Sequence, residues 1–173
     1  MLSEEYTFEP AQLADLDRVH QLESSSYHPD EAASRQQLEN RIGFAAMSDP
    51  ALFTVMRCQG NIIGFICSTL TNNDLVTDES MSVHDPQGQT VCLHSVTIDH
   101  AYRRRGLAQA ILNKWIDELR NVHDRRPEQK YKRIALLSRP YLLPLYESVG
   151  FKTLGQSVVQ HGPEPWFDCI IDL

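Results

Sequence analysis

Three consecutive arginines stand directly before a glycine at residues 103–106, and the chemistry that this arrangement suggests is phosphate binding. The preceding run, residues 91–98, alternates and is rich in β-branched side chains, which predicts a strand. The segment that follows is apolar at helical spacing. Because the first turn of a helix has unpaired N–H groups and a partial positive charge, a glycine there admits a phosphate. The pattern predicts a pyrophosphate site for a nucleotide-like cofactor, with a solvated basic cluster as the alternative.

The spacing of this turn resembles a known signature. Arg103-x-x-Gly106-x-Ala108, between a strand and an amphipathic helix, is similar to the acetyl-CoA-binding signature of the GCN-related N-acetyltransferases. A second landmark of that family, a helix that ends in Leu-Tyr-x-x-x-Gly-Phe, matches residues 145–151. The resemblance implies an α/β, GNAT-like fold with a mixed central sheet flanked by helices. It also implies acetyl-CoA as the co-substrate.

Further runs resemble one branch of that family. Residues 75–80, 84–88 and 93–96 are similar to the arylalkylamine N-acetyltransferases, the group that contains serotonin N-acetyltransferase, and residues 26–34 resemble its non-vertebrate members. The branch carries two histidines two residues apart on the strand, whereas this chain has Cys92 at the first position. Vertebrate members carry an acidic tract where residues 138–140 read Ser-Arg-Pro, which argues against an indole-specific pocket here.

Acetyl transfer from a thioester to an amine needs a neutral amine, a stabilised oxyanion and a proton for the thiolate. An alkylamine with a pKa near that of lysine, about 10.4, is almost fully protonated at neutral pH, so a base is useful. His94, on the predicted strand, is the candidate catalytic base because the ordinary pKa of histidine is about 6.5. The backbone N–H of Val96 is the candidate oxyanion donor. The resemblance implies that Tyr146 lies near the sulfur and acts as the catalytic acid.

Each catalytic candidate has a structural alternative. His94 and Tyr146 would also fit as core residues with satisfied polar atoms. Cys92 lies two residues before His94, so both side chains are expected to face the same cavity. A covalent acetyl-cysteine is the alternative for Cys92, but a buried thiol without a lowered pKa behaves as a small hydrophobic residue.

The predicted binding residues fall into two sets. The pantetheine arm is expected to pair with the strand edge as an added strand, and the pyrophosphate with the basic turn. The residues predicted to bind acetyl-CoA are Val96, Thr97, Ile98, Arg103, Arg104, Arg105, Gly106, Leu107, Ala108, Gln109 and Tyr146. The residues predicted to contact the amine are Tyr27, His28, Pro29, Glu31, Cys92 and Leu137.

Composition narrows the remaining possibilities. A length of 173 residues suits one domain, predicted over residues 1–173. The net charge of -7 disfavours nucleic acid as the main partner and agrees with a cationic substrate. The four cysteines are scattered without disulfide or metal-ligand spacing, so no metal site is predicted. No run resembles a secretion signal or a membrane span, which predicts a cytoplasmic protein without a membrane partner. A monomer is also expected.

Periodicity predicts an alternation of strands and helices. Helices are predicted from residue 10, with Leu13, Leu16, Val19 and Leu22 on one face, and over residues 32–47, 107–119 and 144–150. Strands are predicted at residues 6–9, 52–58, 61–70, 91–98 and 133–137, from residue 151, and at 166–173. Gln59-Gly60 predicts a hairpin turn, and a polar excursion covers residues 71–89.

These features together predict an acetyl-CoA-dependent N-acetyltransferase that acts on small arylalkylamines or polyamines by direct transfer in a ternary complex. One alternative is acetylation of a protein N-terminus or lysine by the same fold. The other is a non-catalytic sensor that only binds acyl-CoA. A tight apolar pocket would favour the small-molecule function, and an open groove would favour a protein substrate.

Overall fold

The computed structural model describes residues 5–122, 127–128, 131–160 and 162–173. Seven strands form one mixed sheet in the order β1-β2-β3-β4-β5-β7-β6. The strands are β1 (Tyr6–Pro10), β2 (Phe53–Cys58), β3 (Asn61–Thr71), β4 (Thr90–Ile98), β5 (Arg133–Ser138), β6 (Lys152–Gln156) and β7 (Phe167–Asp172). The α-helices of the described residues are α1 (Leu16–Ser26), α2 (Arg35–Met47), α3 (Leu107–Arg120) and α4 (Leu143–Ser148). The predicted α/β architecture with a mixed sheet is confirmed.

The strands β4 and β5 form a parallel pair, which requires a crossover, and α3 supplies it. Their register begins at Thr90 opposite Arg133 and ends at Leu93 opposite Leu136. Strand β4 continues beyond that register to Ile98. The last strand, β7, lies between β5 and β6 and pairs antiparallel with both. The sequence predicted that the final segment joins the sheet, but it did not predict its position between β5 and the edge strand β6.

The turn between β2 and β3 is the predicted hairpin. Gln59 and Gly60 both have left-handed backbone conformations, with φ of 53° and 83°. Two successive residues with positive φ give the turn a twist that matches the right-handed twist of the flanking strands. The prediction at Gln59-Gly60 is therefore confirmed.

The first two helices begin later than their patterns predicted. Residues Leu13–Asp15 form a 3-10 turn, and Leu13 is 62% exposed rather than part of the buried face of α1. The Asp15 carboxylate accepts the Gln12 N–H at 2.9 Å and so holds the turn in place. Helix α2 begins at Arg35 instead of residue 32 because Ser34 and Gln37 form a capping box there.

The chain divides into two compact units. The first comprises Met1–Cys67 and Ser95–Trp115, and the second comprises Ser68–His94 and Ile116–Leu173. In the first unit the rings of Phe53 and Phe65 stack at 5.6 Å, and Trp115 Nε1 donates to the Ala51 carbonyl at 3.0 Å. In the second unit a buried cluster contains Val76, Cys92, Ala135 and Ile170. The single-domain organisation of residues 1–173 stays a prediction.

Candidate functional site

The turn before α3 combines left-handed backbone with exposed N–H groups. Arg104 and Gly106 have φ of 63° and 74°. Apart from chain neighbours, no described atom lies within 4 Å of a Cβ added at Gly106. The Ala110 N–H donates to the Gly106 carbonyl at 3.0 Å, so the N–H groups of residues 107–109 lie in the first turn, before this hydrogen-bond ladder begins. Three backbone donors and open space at the glycine suit an anionic group, and they fit the pyrophosphate of a coenzyme.

The three arginines of this turn are all exposed, but they have different surroundings. Arg103 Nε donates to the Ile98 carbonyl at 3.2 Å, and its Nη2 donates to Ser26 Oγ at 3.2 Å. The Arg105 guanidinium lies 5.0 Å from the centre of the Tyr102 ring. The Arg103 side chain therefore connects the turn to the end of β4 by a hydrogen bond. Direct contact of any of these side chains with a phosphate stays a prediction.

Along one edge of the second half of β4, backbone carbonyls accept hydrogen bonds from side chains. The Asp99 N–H donates to the Ile63 carbonyl of β3 at 2.7 Å, so backbone alternation points the polar groups of Val96 and Ile98 away from β3. On that side Tyr27 Oη donates to the Val96 carbonyl at 2.8 Å. The structure thus brings Tyr27, predicted to contact the amine, together with Val96, predicted to contact the cofactor. The same edge presents backbone N–H groups of the kind that an added strand-like ligand uses.

The other predicted amine contacts of the first unit lie between α1 and α2. His28 and Pro29 are exposed, and Tyr27 and Glu31 are half-buried. The Glu31 N–H donates to the His28 carbonyl at 2.8 Å, which closes a turn. His28 Nδ1 accepts the Asp30 N–H at 3.1 Å. This turn presents an imidazole and carboxylates to solvent.

A buried carboxylate anchors that turn. Glu23 of α1 is buried, and its Oε2 accepts the Ala33 N–H at 2.8 Å. Burial raises the pKa of Glu23, while the Ala33 N–H, the Ser95 hydroxyl and the Arg41 charge oppose that rise. The sequence analysis did not single out Glu23. The available signal was an acidic residue directly after Leu22 on the apolar face of a predicted helix.

In the second unit, two hydrogen bonds define the state of His94. Its Nε2 lies 2.8 Å from Thr69 Oγ1, and the same hydroxyl donates to the Ser80 carbonyl at 3.2 Å. A threonine hydroxyl has one proton, so Nε2 must be the donor to Thr69. In the neutral ring Nδ1 then carries the lone pair. The sequence analysis did not predict the contribution of Thr69, a small polar residue within a buried strand.

Cys92 lies in an apolar setting. Its side chain is fully buried with Val76, Ala135 and Ile170, and Leu137 packs against this cluster. Burial raises the pKa of the Cys92 thiol to about 11, although the Ser80 hydroxyl opposes the shift. The thiol is therefore protonated at neutral pH, which favours a packing role over a nucleophilic one. Two predicted amine contacts, Cys92 and Leu137, are brought together.

Tyr146 lies on the opposite face of the sheet from Cys92. Its buried ring meets the Phe151 ring edge to face, with 5.7 Å between the ring centres. A negative charge on Cys169 would raise the pKa of the Tyr146 hydroxyl, so Tyr146 lies on the side of β7 to which Cys169 points. Cys169 is the neighbour of Ile170 along β7, and successive strand residues point to opposite faces. Burial raises the pKa of Tyr146 above the usual range of a phenol. The phenol therefore stays protonated at physiological pH.

Comparison with known proteins identifies the family. The family model described as an acetyltransferase (GNAT) domain matches residues 18–164. The chain belongs to the GNAT acetyltransferase family. The first landmark that the sequence suggested, the turn that contains Gly106, lies within this match, as do His94 and Tyr146.

Relatives and solved structures agree with this assignment. Serotonin N-acetyltransferase of Mesocricetus auratus is 29% identical over 104 residues, which cover 60% of this chain and 47% of the relative. The chain thus spans about half of the length of the curated relatives it matches. The loading GNATL domain of CurA from Lyngbya majuscula superposes with a TM-score of 0.81 at 13% identity, with 97% and 98% of the two chains covered. The NatC complex bound to Gag peptide and CoA gives a TM-score of 0.71 at 18% identity, with 98% and 99% covered.

Two further properties concern the whole of this GNAT-family chain. The side chains of all four cysteines are buried. Within the part of the chain that the structure describes, no helix has the length and apolar character needed to cross a bilayer.

Proposed function

We propose that this GNAT-family chain transfers the acetyl group of acetyl-CoA to the primary amine of a small molecule, and that it belongs to the arylalkylamine N-acetyltransferase branch. The observation that carries the proposal is the pair of hydrogen bonds from His94 Nε2 to Thr69 and from Thr69 to Ser80. This pair leaves Nδ1 as the basic nitrogen of a neutral imidazole. The ordinary pKa of histidine, about 6.5, suits a base that takes a proton from an alkylamine at neutral pH.

Acetyl-CoA supplies the activated acetyl group. We assign its pyrophosphate to the N–H groups of residues 107–109 beside Gly106, and its pantetheine arm to the edge of β4 at Val96 and Ile98. Support comes from the open space at Gly106 and from the orientation of these backbone groups away from β3. Arg104 and Arg105 add positive charge near the pyrophosphate.

The remaining groups take part in proton movement and charge stabilisation. His94 Nδ1 accepts the proton that the attacking amine loses, directly or through water. The Val96 N–H donates to the carbonyl oxygen that gains negative charge. Tyr146 donates a hydrogen bond to the departing sulfur. Because a thiol has a pKa of about 8.5, below that of a phenol, this bond stabilises the thiolate more than it transfers a proton.

Tyr146 and the Cys92–His94 row lie on opposite faces of the second unit, which supports entry of the two substrates from opposite faces. The β4–β5 register ends at Leu93, so the backbone of β4 from His94 onward lies beyond the ladder with β5. Direct attack then requires no acyl-enzyme. The high pKa of the Cys92 thiol supports direct transfer, because a protonated thiol is a poor nucleophile.

The test is an amine panel with purified protein and acetyl-CoA, in which free thiol and the acetylated product are both measured. The panel contains phenylethylamine, tryptamine, serotonin, putrescine and spermidine, together with peptides that carry a free N-terminus or a lysine. We expect amine-dependent thiol release and an N-acetylated small molecule. Acetylation of the peptides alone would replace this proposal with protein acetylation, and acetyl-CoA binding without turnover would replace it with a sensor. The cytoplasmic location and the monomeric state stay predictions.

A further inference from the structure

A buried carboxylate that the proposed mechanism does not use lies on β7. Asp168 is 8% exposed, and its Oδ1 is a buried atom without a hydrogen-bond partner among the described residues. Burying a carboxylate oxygen without a partner is costly, so such a group requires an explanation. Ligand binding is one explanation, because perturbed carboxylates concentrate at functional sites.

The register places this carboxylate relative to the Cys92 cluster. Cys92 of β4 is opposite Ala135 of β5, and Ala135 is opposite Ile170 of β7. These three side chains pack together, so they lie on one face of the second unit. Because side chains alternate along each strand, residues two positions away from this row lie on the same face.

The next row along that face holds three predicted or candidate groups. His94 is two residues after Cys92, Leu137 is two after Ala135, and Asp168 is two before Ile170 in the antiparallel direction. Leu137 and Asp168 are directly paired across β5 and β7. Asp168 therefore shares the face of the candidate base, two strands away. Neighbouring strands are about 4.8 Å apart, so β4 and β7 are roughly 10 Å apart where β4 and β5 are paired. His94 lies beyond the end of the β4–β5 register at Leu93, so roughly 10 Å is the lower bound of its separation from Asp168.

The surroundings of Asp168 do not neutralise it. Burial raises the pKa of Asp168, and the Ser157 hydroxyl opposes that rise. Ser157 Oγ also accepts the Val159 N–H at 3.0 Å. No described basic side chain forms an ion pair with Asp168. A cationic ligand would supply the charge and the hydrogen bond that this carboxylate lacks.

We propose that Asp168 is a specificity-determining residue that binds a second cationic group of the amine substrate, at least about 10 Å from the nitrogen that is acetylated. The inference rests on the proposed function, because it takes His94 as the position of the reacting amine. It selects among the amines that the sequence left open and favours diamines and polyamines over monoamines of equal length. An extended chain spans about 1.2 Å per bond, so an α,ω-diaminoalkane needs about seven carbons or more to reach both groups.

Steady-state kinetics tests the selectivity. The ratio of kcat/KM for each α,ω-diaminoalkane to that of the n-alkylamine with the same carbon number is measured from three to ten carbons. In the wild-type protein we expect this ratio to rise to a maximum of about tenfold or more at about seven carbons or above, as a charge-assisted hydrogen bond allows. In Asp168→Asn the ratio should fall close to one at every length. Asp172→Asn, which removes an exposed carboxylate from the same strand, should leave the ratio unchanged.

Binding separates this inference from the proposed function. Titration calorimetry of 1,7-diaminoheptane and heptylamine is performed on protein saturated with CoA, which has no acetyl group to transfer. Tighter binding of the diamine that is lost in Asp168→Asn supports the inference, even if no amine is ever acetylated. Equal binding of the two amines to the wild-type protein overturns it, even if both are good substrates.

A second variant guards against a folding defect. If Asp168→Asn does not fold, Asp168→Glu keeps the charge and moves it by one methylene. The preferred diamine should then be shorter by about one carbon. A diamine preference that has the same length optimum in wild type and Asp168→Glu would overturn the assignment of Asp168.

Discussion

His94 Nε2 donates a hydrogen bond to Thr69 Oγ1 across 2.8 Å, and the Thr69 hydroxyl donates a hydrogen bond to the Ser80 carbonyl. Thr69 lies in β3, and Ser80 lies in the polar excursion between β3 and β4. The excursion therefore determines which nitrogen of His94 is basic. This is a concrete role for a segment that the sequence described only as long and polar.

The hydroxyl of Thr69 is expected to act through His94 and not on the substrate. Thr69→Val removes the acceptor with little change of volume, and Thr69→Ser keeps it. Because one hydrogen bond contributes about 1 kcal/mol, kcat should fall roughly fivefold in the valine variant and recover in the serine variant. Nitrogen chemical shifts of His94 should report mixed tautomers in Thr69→Val alone. Identical tautomers in all three proteins would contradict this assignment.

Removal of the imidazole should have a larger effect. General base catalysis is typically worth about a hundredfold or more, so His94→Ala should lower kcat by that order and abolish the acidic limb of the pH profile. Cys92→Ala is the matched control two residues away, and it should keep most of the activity. Loss of activity in Cys92→Ala with an acetylated cysteine in the intact mass of the wild type would instead favour a covalent route.

The glycine of the basic turn has a matched control in the β2–β3 hairpin. Gly106 and Gly60 have similar φ, 74° and 83°, and open space at the position of a Cβ. An alanine at either position should cost about 1 kcal/mol of unfolding free energy because left-handed backbone is unfavourable for it. Only the change at Gly106 should raise the KM for acetyl-CoA, and Gly106→Glu should raise it further. Equal changes of KM in Gly106→Ala and Gly60→Ala would argue against a pyrophosphate site.

Tyr146→Phe tests the sulfur end of the proposed site. The variant keeps the ring against Phe151 and removes a buried hydroxyl, so thermal stability and acetyl-CoA affinity should change little. Turnover should fall by about a hundredfold when chemistry limits the rate. Because burial raises the pKa of Tyr146, no basic limb below about pH 10 should come from this residue in the wild type. Unimpaired turnover would return Tyr146 to a packing role.

Glu23 makes the stability of the protein depend on pH. Its folded-state pKa is raised above the ordinary 4.5, so the folded protein binds more protons than the unfolded chain. Unfolding free energy should therefore fall as the pH rises from below 4.5 through the folded pKa. Glu23→Gln still accepts the Ala33 N–H and should flatten this dependence, as urea denaturation at several pH values would measure. A profile with the same slope in the wild type and the variant would contradict the shift.

Local sequence patterns predicted the secondary-structure elements better than they predicted the polar contacts between elements. The hairpin at Gln59-Gly60 and the strand before the basic turn follow from turn chemistry and alternation, which act over neighbouring residues. The sequence analysis did not single out Thr69, Glu23 or Asp168, because the role of each depends on a residue of another element. Alternation assigns Asp168 a face, but only the strand order puts β7 beside β5 and so aligns Asp168 with Leu137.

The position of β7 between β5 and β6 also has a consequence for synthesis. The ribosome makes β6 before β7, yet β6 pairs with β7 alone among the described strands. While β7 is still inside the exit tunnel, β6 and the outer edge of β5 both expose unpaired backbone groups. A nascent chain arrested at this stage would offer two open strand edges to chaperones or to other nascent chains, and the emergence of β7 from the tunnel would close both edges at once.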